Sequence, residues 1–190
     1  MKNIMVAGVG GQGLVLATKI IAEAALKAGL DVKTNDVVGL SQRGGMVWGS
    51  ARIGDVVHSP NIPAGEGDIL LGMEPLEALR WKGLLKKGAV VVINEKRTYP
   101  SSVLLEQRKY PEKEIEDLEK DYVVIRVDAV KEAKDAGNIK AANTVVLGIL
   151  ARHMDIEKVI WEEVLLENVP PKAKDANIKA FNIGYEYGED

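Results

Sequence analysis

The chain has no cysteine in its 190 residues. That excludes disulfides, and it excludes any iron–sulfur cluster held by this chain's own thiolates. Histidine is almost as scarce. Only His58 and His153 occur, which leaves no histidine-rich metal site, and neither has a nucleophile partner that would make a hydrolase triad. No apolar run approaches the roughly 20 residues that span a bilayer. The amino terminus leads directly into a strand pattern without a charged-then-apolar leader. The expectation is a cytoplasmic protein with no membrane partner. There is no basic tail or basic helix, and the net charge is −3, which argues against a nucleic-acid partner. Two further signatures are missing: the Gly-x-x-x-x-Gly-Lys-Ser/Thr phosphate loop and the His-Glu-x-x-His zinc pair. What is present is ordinary for a soluble globular chain, 46% hydrophobic and 28% charged. The length suits one domain, residues 1–190, with a core large enough to fold without staples.

Four short apolar runs predict strands: Ile4–Ala7, Ile69–Leu71, Ala89–Ile93 and Tyr122–Val127. None alternates strictly with polar residues, as expected of strands covered on both faces. Asp31–Val38, rich in β-branched residues, is a fifth candidate. Helical patterns lie between them. Leu14, Ala17, Ile21, Ala24, Ala25 and Ala28 share one face of residues 14–28, and Gly29 follows as a C-cap. Pro75–Leu85 and Pro111–Lys120 are shorter candidates. Met46–Arg52, Ile53-Gly54-Asp55 and Val56–Ser59 read as a hairpin with a Gly-Asp turn, an insertion or antiparallel edge. From Asn143 onward the pattern is helical over 143–152 and 156–166, broken by Pro170-Pro171, with a last helix over Asn177–Tyr187. The fold class is therefore α/β: a mainly parallel, Rossmann-like sheet flanked by helices, with a β-hairpin insertion and a helical C-terminal region.

Two glycine-rich loops carry the functional signal. Gly8-Val9-Gly10-Gly11-Gln12-Gly13 stands between the first strand and the first helix. Glycines there permit a tight turn, close approach of another group and close helix–strand packing. Free N–H groups and the helix dipole make such a turn an anion seat. A turn that serves only helix packing is the competing reading. The second loop, Gly39-Leu40-Ser41-Gln42-Arg43-Gly44-Gly45, follows the second strand and places the guanidinium of Arg43 among small residues. It suits an anion or the carboxylate of a partner chain. Asp36 sits where a ribose-binding acid would stand in a dinucleotide site, although a solvated aspartate accounts for it too. Glu74 and Asn94 each follow a strand and can reach the same crevice, or act as helix-start and turn residues. Trp48, Trp81 and Trp161 read as packing or interface anchors. Lys82, Lys86 and Lys87 read as a solvated helix end.

With those segments in view, the chain resembles the gamma-type subunits of 2-oxoacid:ferredoxin oxidoreductases, the indolepyruvate branch above all. The likeness rests on Gly8–Gly13, on Ser41-Gln42-Arg43-Gly44-Gly45, on the stretch from Gly67 through Met73-Glu74-Pro75 to Ala78, on Gly137-Asn138, and on Asn143 with Leu147-Gly148. It implies a division of labour. Thiamine diphosphate and iron–sulfur clusters belong to a large partner subunit, which decarboxylates the 2-oxoacid and passes electrons to ferredoxin. The gamma part packs near the active site and handles coenzyme A. Gly8, Gly10, Gly11, Gln12, Gly13, Ser41, Gln42, Arg43, Gly44, Gly45, Glu74 and Asn94 become the candidate binding residues, with no catalytic residue and no metal ligand. Two rivals stay open. One is a self-sufficient NAD-type dehydrogenase built on Gly8–Gly13 and Asp36. The other is a purely structural partner subunit.

Overall fold

The computed structural model describes residues 1–38 and 45–188. Each apolar run becomes a strand. They are β1 (Lys2–Val9), β4 (Gly67–Gly72), β5 (Leu85–Asn94) and β6 (Val123–Val127), with β2 (Asp31–Val38) and β3 (Met46–Gly54) between the first two in sequence. They form one six-stranded sheet in the order β2-β3-β1-β4-β5-β6. The β1–β4, β4–β5 and β5–β6 pairs are parallel, whereas β3 runs antiparallel to both β1 and β2. All strands but β3 therefore point the same way.

The hairpin is real but stands elsewhere than the sequence suggests. Met46–Gly54 is one strand, and no strand follows at Val56–Ser59. β3 pairs with β1 from Val9↔Met46 to Lys2↔Ile53 and with β2 from Val38↔Val47 to Asp31↔Gly54. The hairpin is therefore β2–β3. The Gly54-Asp55 step ends β3 instead of turning it back. A Gly-Asp dipeptide is a local signal, while the choice of neighbouring strand is made by the whole sheet.

The helices divide between the two faces. On one lie α1 (Leu14–Lys27), α5 (Ala129–Asp135), α6 (Ala142–Arg152), α7 (Lys158–Asn168) and α8 (Lys174–Tyr185), packed with Ile4 and Val6 of β1 into the larger core. On the other lies α2 (Pro75–Trp81), packed with Met5, Ala7, Leu70 and Ile93. α3 (Ser101–Leu104) and α4 (Glu112–Glu116) follow β5. The alternation of Ile4 and Val6 against Met5 and Ala7 is why β1 reads as an unbroken apolar run: both of its faces are covered. α1 starts on Gly13 in the left-handed region (φ 78) and ends before Gly29 (φ 80), whose neighbour Leu30 donates back to the Ala25 carbonyl at 3.0 Å. The chain leaves β1 through α1 toward one face and leaves β4 through α2 toward the other. The β1–β4 boundary is thus the topological switch point, where open α/β sheets form their ligand crevice.

Candidate functional site

The carboxyl ends of β1, β4 and β5 meet at this switch point. The turn after β4 is tied to β1, since the Met73 N–H donates to the Ala7 carbonyl at 2.8 Å. The Met73 carbonyl in turn accepts from Gln12 Nε2 at 3.1 Å and from Asn94 Nδ2 at 3.3 Å. Both amides are used at their other end. Gln12 Oε1 accepts from the Val9 N–H at 2.9 Å, and Asn94 Oδ1 accepts from the Ala129 N–H at 3.2 Å. One carbonyl therefore gathers the ends of three strands, and two side-chain amides close the switch point. Gly13 joins the same assembly, because its carbonyl accepts from Asn143 Nδ2 at 3.4 Å.

Glu74 lies beside this network and is fully buried, with an exposure of 0%. Its Oε2 accepts from the Glu77 N–H at 3.1 Å and so caps α2. Its Oε1 accepts from the Tyr110 hydroxyl at 2.6 Å and from the Thr98 N–H at 3.3 Å. Burial first, and then the bond to Glu74, hold the Tyr110 phenol far above its ordinary pKa. The Tyr110 oxygen also accepts from the Leu76 N–H at 3.2 Å. Glu74 is thus an internal anchor with its oxygens occupied, not an acid aimed at a ligand.

The first loop spends much of its own donor capacity. The Val9 N–H goes to Gln12, the Gly10 N–H to the Gly45 carbonyl at 2.9 Å, and the Gln12 N–H to the Val9 carbonyl at 3.3 Å. The positive φ values fall at Gly11 (φ 97) and Gly13 (φ 78). The first turn of α1 receives no side-chain cap from Gly13, so its own N–H groups are what the expected anion seat retains. The Gly10–Gly45 bond joins the two glycine loops at one edge. Ser41, Gln42, Arg43 and Gly44 lie outside the described residues.

The dinucleotide reading loses its geometry. β3 stands between β1 and β2, so Asp36 is one strand further from Gly8–Gly13 than in a sheet where those strands are neighbours. Its carboxyl leans over Gly49 toward the Thr18 hydroxyl, and a Cβ on Gly49 would collide with both. Desolvation there pushes the Asp36 pKa up, partly offset by the Thr18 hydrogen bond. His58 is exposed, and burial lowers the pKa of half-buried His153, with Arg152 and Lys2 adding to the effect. Among the described residues no cluster of three metal-ligating side chains exists, and no helix is long and apolar enough to cross a membrane.

The site thus brings together Gly8, Gly10, Gly11, Gln12, Gly13, Gly45, Glu74 and Asn94. Sequence reasoning missed Tyr110, Thr98 and the Met73 carbonyl. Only the step Tyr110-Pro111, just ahead of a helix, could have drawn attention to Tyr110.

The architecture has relatives. A family model described as pyruvate ferredoxin/flavodoxin oxidoreductase matches residues 3–187. The chain belongs to that family. It is 43% identical to the indolepyruvate oxidoreductase subunit IorB of Archaeoglobus fulgidus, over 96% of this chain and 93% of that one. Among solved structures, the gamma subunit of a keto/oxoacid ferredoxin oxidoreductase from Geobacter sulfurreducens PCA is 28% identical. It superposes with a TM-score of 0.73 over 98% of this chain and 97% of that one. A 2-oxoglutarate:ferredoxin oxidoreductase from Magnetococcus marinus, solved with 2-oxoglutarate, coenzyme A and succinyl-CoA, shares the fold at 21% identity and a TM-score of 0.77. The match covers 99% of this chain but 31% of that longer one. The family's members thus include separate small chains, while the same fold also stands inside a larger polypeptide.

Proposed function

We propose that this chain is the small, non-redox subunit of a thiamine-diphosphate-dependent 2-oxoacid:ferredoxin oxidoreductase, and that its complex takes an arylpyruvate of the indolepyruvate kind. The near full-length match to an indolepyruvate oxidoreductase subunit carries this reading. The reaction joins an arylpyruvate and coenzyme A, releases carbon dioxide and forms the aryl-acetyl thioester, with two electrons leaving to ferredoxin. Thiamine diphosphate on the partner supplies the electron sink for decarboxylation. This chain has no thiolate for a cluster, so the electron path belongs to the partner as well.

The chain's own part is positional. Gln12, Asn94 and Glu74 fix the ends of three strands, and the Gly8–Gly13 loop sits on that edge. Arg43, the one cation within the two loops, is the candidate for a coenzyme A phosphate, where a guanidinium makes charge-assisted bonds. A second reading is favoured by the internal bonding of Val9, Gly10 and Gln12: the loops then serve as a docking platform and bind nothing small.

Arg43→Ala in the assembled complex separates the two. If Arg43 holds the coenzyme, subunit assembly stays normal, and the KM for coenzyme A rises by roughly ten- to hundred-fold. The KM for the 2-oxoacid stays nearly constant. If Arg43 is a docking residue, subunit affinity falls and saturating coenzyme A restores nothing. Normal assembly with normal kinetics removes Arg43 from both roles.

A further inference from the structure

The sheet face that carries α2 is unevenly covered. α2 packs over β1, β4 and β5. Further along β3, the segment 55–66 lies over the strand. There the Ser50 hydroxyl donates to the Pro60 carbonyl at 2.9 Å, and the Arg52 guanidinium to the Ser59 and Asn61 carbonyls at 3.3 and 3.0 Å. Neither cover closes over the first residues of β3. Trp48 pairs directly with Ala7 of β1 on one side and with Val37 of β2 on the other, and directly paired residues share a face. Met46, two residues before Trp48, points to that face too. Val37 is 40% exposed and Met46 45%. The half-buried Trp48 ring meets the Trp81 ring of α2 at 4.9 Å between centroids, tilted by 48°.

Glu77 precedes Trp81 by one helical turn, so the two share a face of α2. Each has a buried polar atom with no hydrogen-bond partner: Glu77 Oε2, an acceptor, and Trp81 Nε1, a donor. A native fold leaves few such atoms, and an unpaired buried carboxylate is among the costliest. Arg80 meets only Oε1, from a half-exposed position, while Glu74 adds a second negative charge. The deficit therefore has a sign. This face of α2 wants a cationic donor. The other exposed apolar side chains carry no such mark. Leu104 and Leu105 on α3, Val15 and Leu26 on α1, and Val159 on α7 are more exposed than Val37 or Met46. Among the described residues the remaining unpartnered buried atoms are Trp161 Nε1 and Asn182 Oδ1, on α7 and α8. Trp161 is fully buried in the larger core, on the side of α7 away from Val159.

We propose that the face formed by Val37, Met46, Trp48 and Trp81 receives the large catalytic subunit, which brings an arginine across the two tryptophan rings onto Glu77 Oε2. This rests on the reading of the chain as a subunit of such an oxidoreductase. A guanidinium offers planar donors to a carboxylate and stacks on aromatic faces, and an ammonium matches neither geometry as well. Tryptophan and arginine are also the residues on which binding energy concentrates at interfaces. Both unpartnered atoms are shielded from solvent in the lone chain. The tryptophan side chains therefore turn aside as the arginine enters, a common adjustment at interfaces. Glu77 lowers the stability of the lone chain and strengthens the assembled one, as residues kept for function often do.

The test uses Glu77→Gln and the pair Val37→Lys/Met46→Lys, with Leu104→Lys/Leu105→Lys as a control of equal charge change, each coexpressed with the large subunit. Glutamine removes the charge and keeps the shape. The lone Glu77→Gln chain should melt no lower than wild type, while its affinity for the large subunit falls about ten-fold or more. The lysine pair should melt where wild type melts and bind about ten-fold more weakly or worse. The control should bind as wild type does. Wild-type affinity in Glu77→Gln or in the lysine pair overturns the proposal, as does a control that weakens equally. A Glu77→Gln chain that loses melting temperature and affinity together also overturns it, because Glu77 then only holds α2. So does a lone wild-type dimer that the lysine pair makes monomeric while large-subunit binding stays normal; the face would then join two copies of this chain. If even the wild-type chain binds no large subunit, the subunit reading falls and this proposal falls with it, whereas unchanged variants beside a binding wild type sink this proposal alone.

Discussion

Glu77 is a buried carboxylate whose burial is only partly compensated. It is 4% exposed, its Oε1 meets Arg80 Nε at 3.2 Å, and its Oε2 is buried with no hydrogen-bond partner. Desolvation raises its pKa, with neighbouring Glu74 adding to the rise and Arg80 opposing it. A carboxyl raised in the folded state favours its protonated form there, so it costs stability at neutral pH. That cost disappears as pH falls through the raised folded value. Glu77→Gln should therefore melt higher than wild type at pH 7, and the gap should close on acidification. The lost Arg80 pair subtracts little, because Arg80 is half-exposed. A lower melting temperature at pH 7 with a pH-independent gap would refute this. The glycines of the first loop allow an equally local comparison. An added Cβ at Gly11 meets nothing within 4 Å, so Gly11→Ala bears only the positive-φ strain, about 1–2 kcal/mol. At Gly13 the Cβ also falls 2.6 Å from Asn143 Nδ2 and displaces that side chain from the Gly13 carbonyl. Gly13→Ala should cost about 1 kcal/mol more than Gly11→Ala, read from paired urea titrations; equal losses would mean that Asn143 does not hold the loop.

At the scale of elements, the tightest contact lies between α6 and α8. A Cβ on Gly184 would overlap the Val145 carbonyl, and one on Gly148 would overlap the Phe181 carbonyl. The two helix backbones touch through reciprocal glycines, and no rotamer change relieves an overlap with a carbonyl oxygen. Gly184→Ala should destabilise by about 1–3 kcal/mol or more, because α8 must move off α6; an unchanged denaturation midpoint would show that the two helices separate freely. This contact marks how far the sequence can be read. Leu147-Gly148 stands out through its family likeness, but Gly184 does not, since its partner is 39 positions away, at Val145. The same division runs through the whole fold. β1, β4, β5 and β6 are legible because strands covered on both faces become apolar runs, and α6, α7 and α8 are legible from helical spacing. β3 was readable as extended chain but not as a single strand between β1 and β2, because Gly54-Asp55 carries a turn signal and the sheet supplies the pairing. α5 escaped notice at seven residues, too short for a periodic pattern. At the site, the positions of Gln12, Glu74 and Asn94 at strand ends are visible in sequence. Their convergence on Met73 and Tyr110 is not, since those contacts exist only once the strands are side by side.

For the whole molecule, the question is what this fold can do without its partner. The switch point, where an α/β sheet ordinarily opens a crevice, is closed here by Gln12 and Asn94 on one carbonyl. The buried carboxylate beside it is occupied by Tyr110, Thr98 and Glu77. No thiolate exists to carry an electron. A cavity of about 540 Å³ lies between α1 and α7, beside Leu26 and Val164, and two smaller ones are likewise not lined by any residue of Gly8–Gly13. One, of about 230 Å³, is lined by Glu95, Arg97, Glu112 and Arg126, whose arginines are already paired. The other, of about 220 Å³, is at the opposite end of the sheet beside Met1 and Ile53. On the proposed reading this chain is a scaffold for reacting groups held by its partner. Purified alone, it should therefore show no iron–sulfur absorption and no reduction of a viologen acceptor by indolepyruvate and coenzyme A. Addition of the large subunit should bring turnover that depends on both chains. Turnover by the lone chain would refute the division of labour. Full turnover by the large subunit without this chain would refute its positional role, because the fixed edge formed by Gly8–Gly13, Gly45 and Glu74 would then contribute nothing to the assembled enzyme.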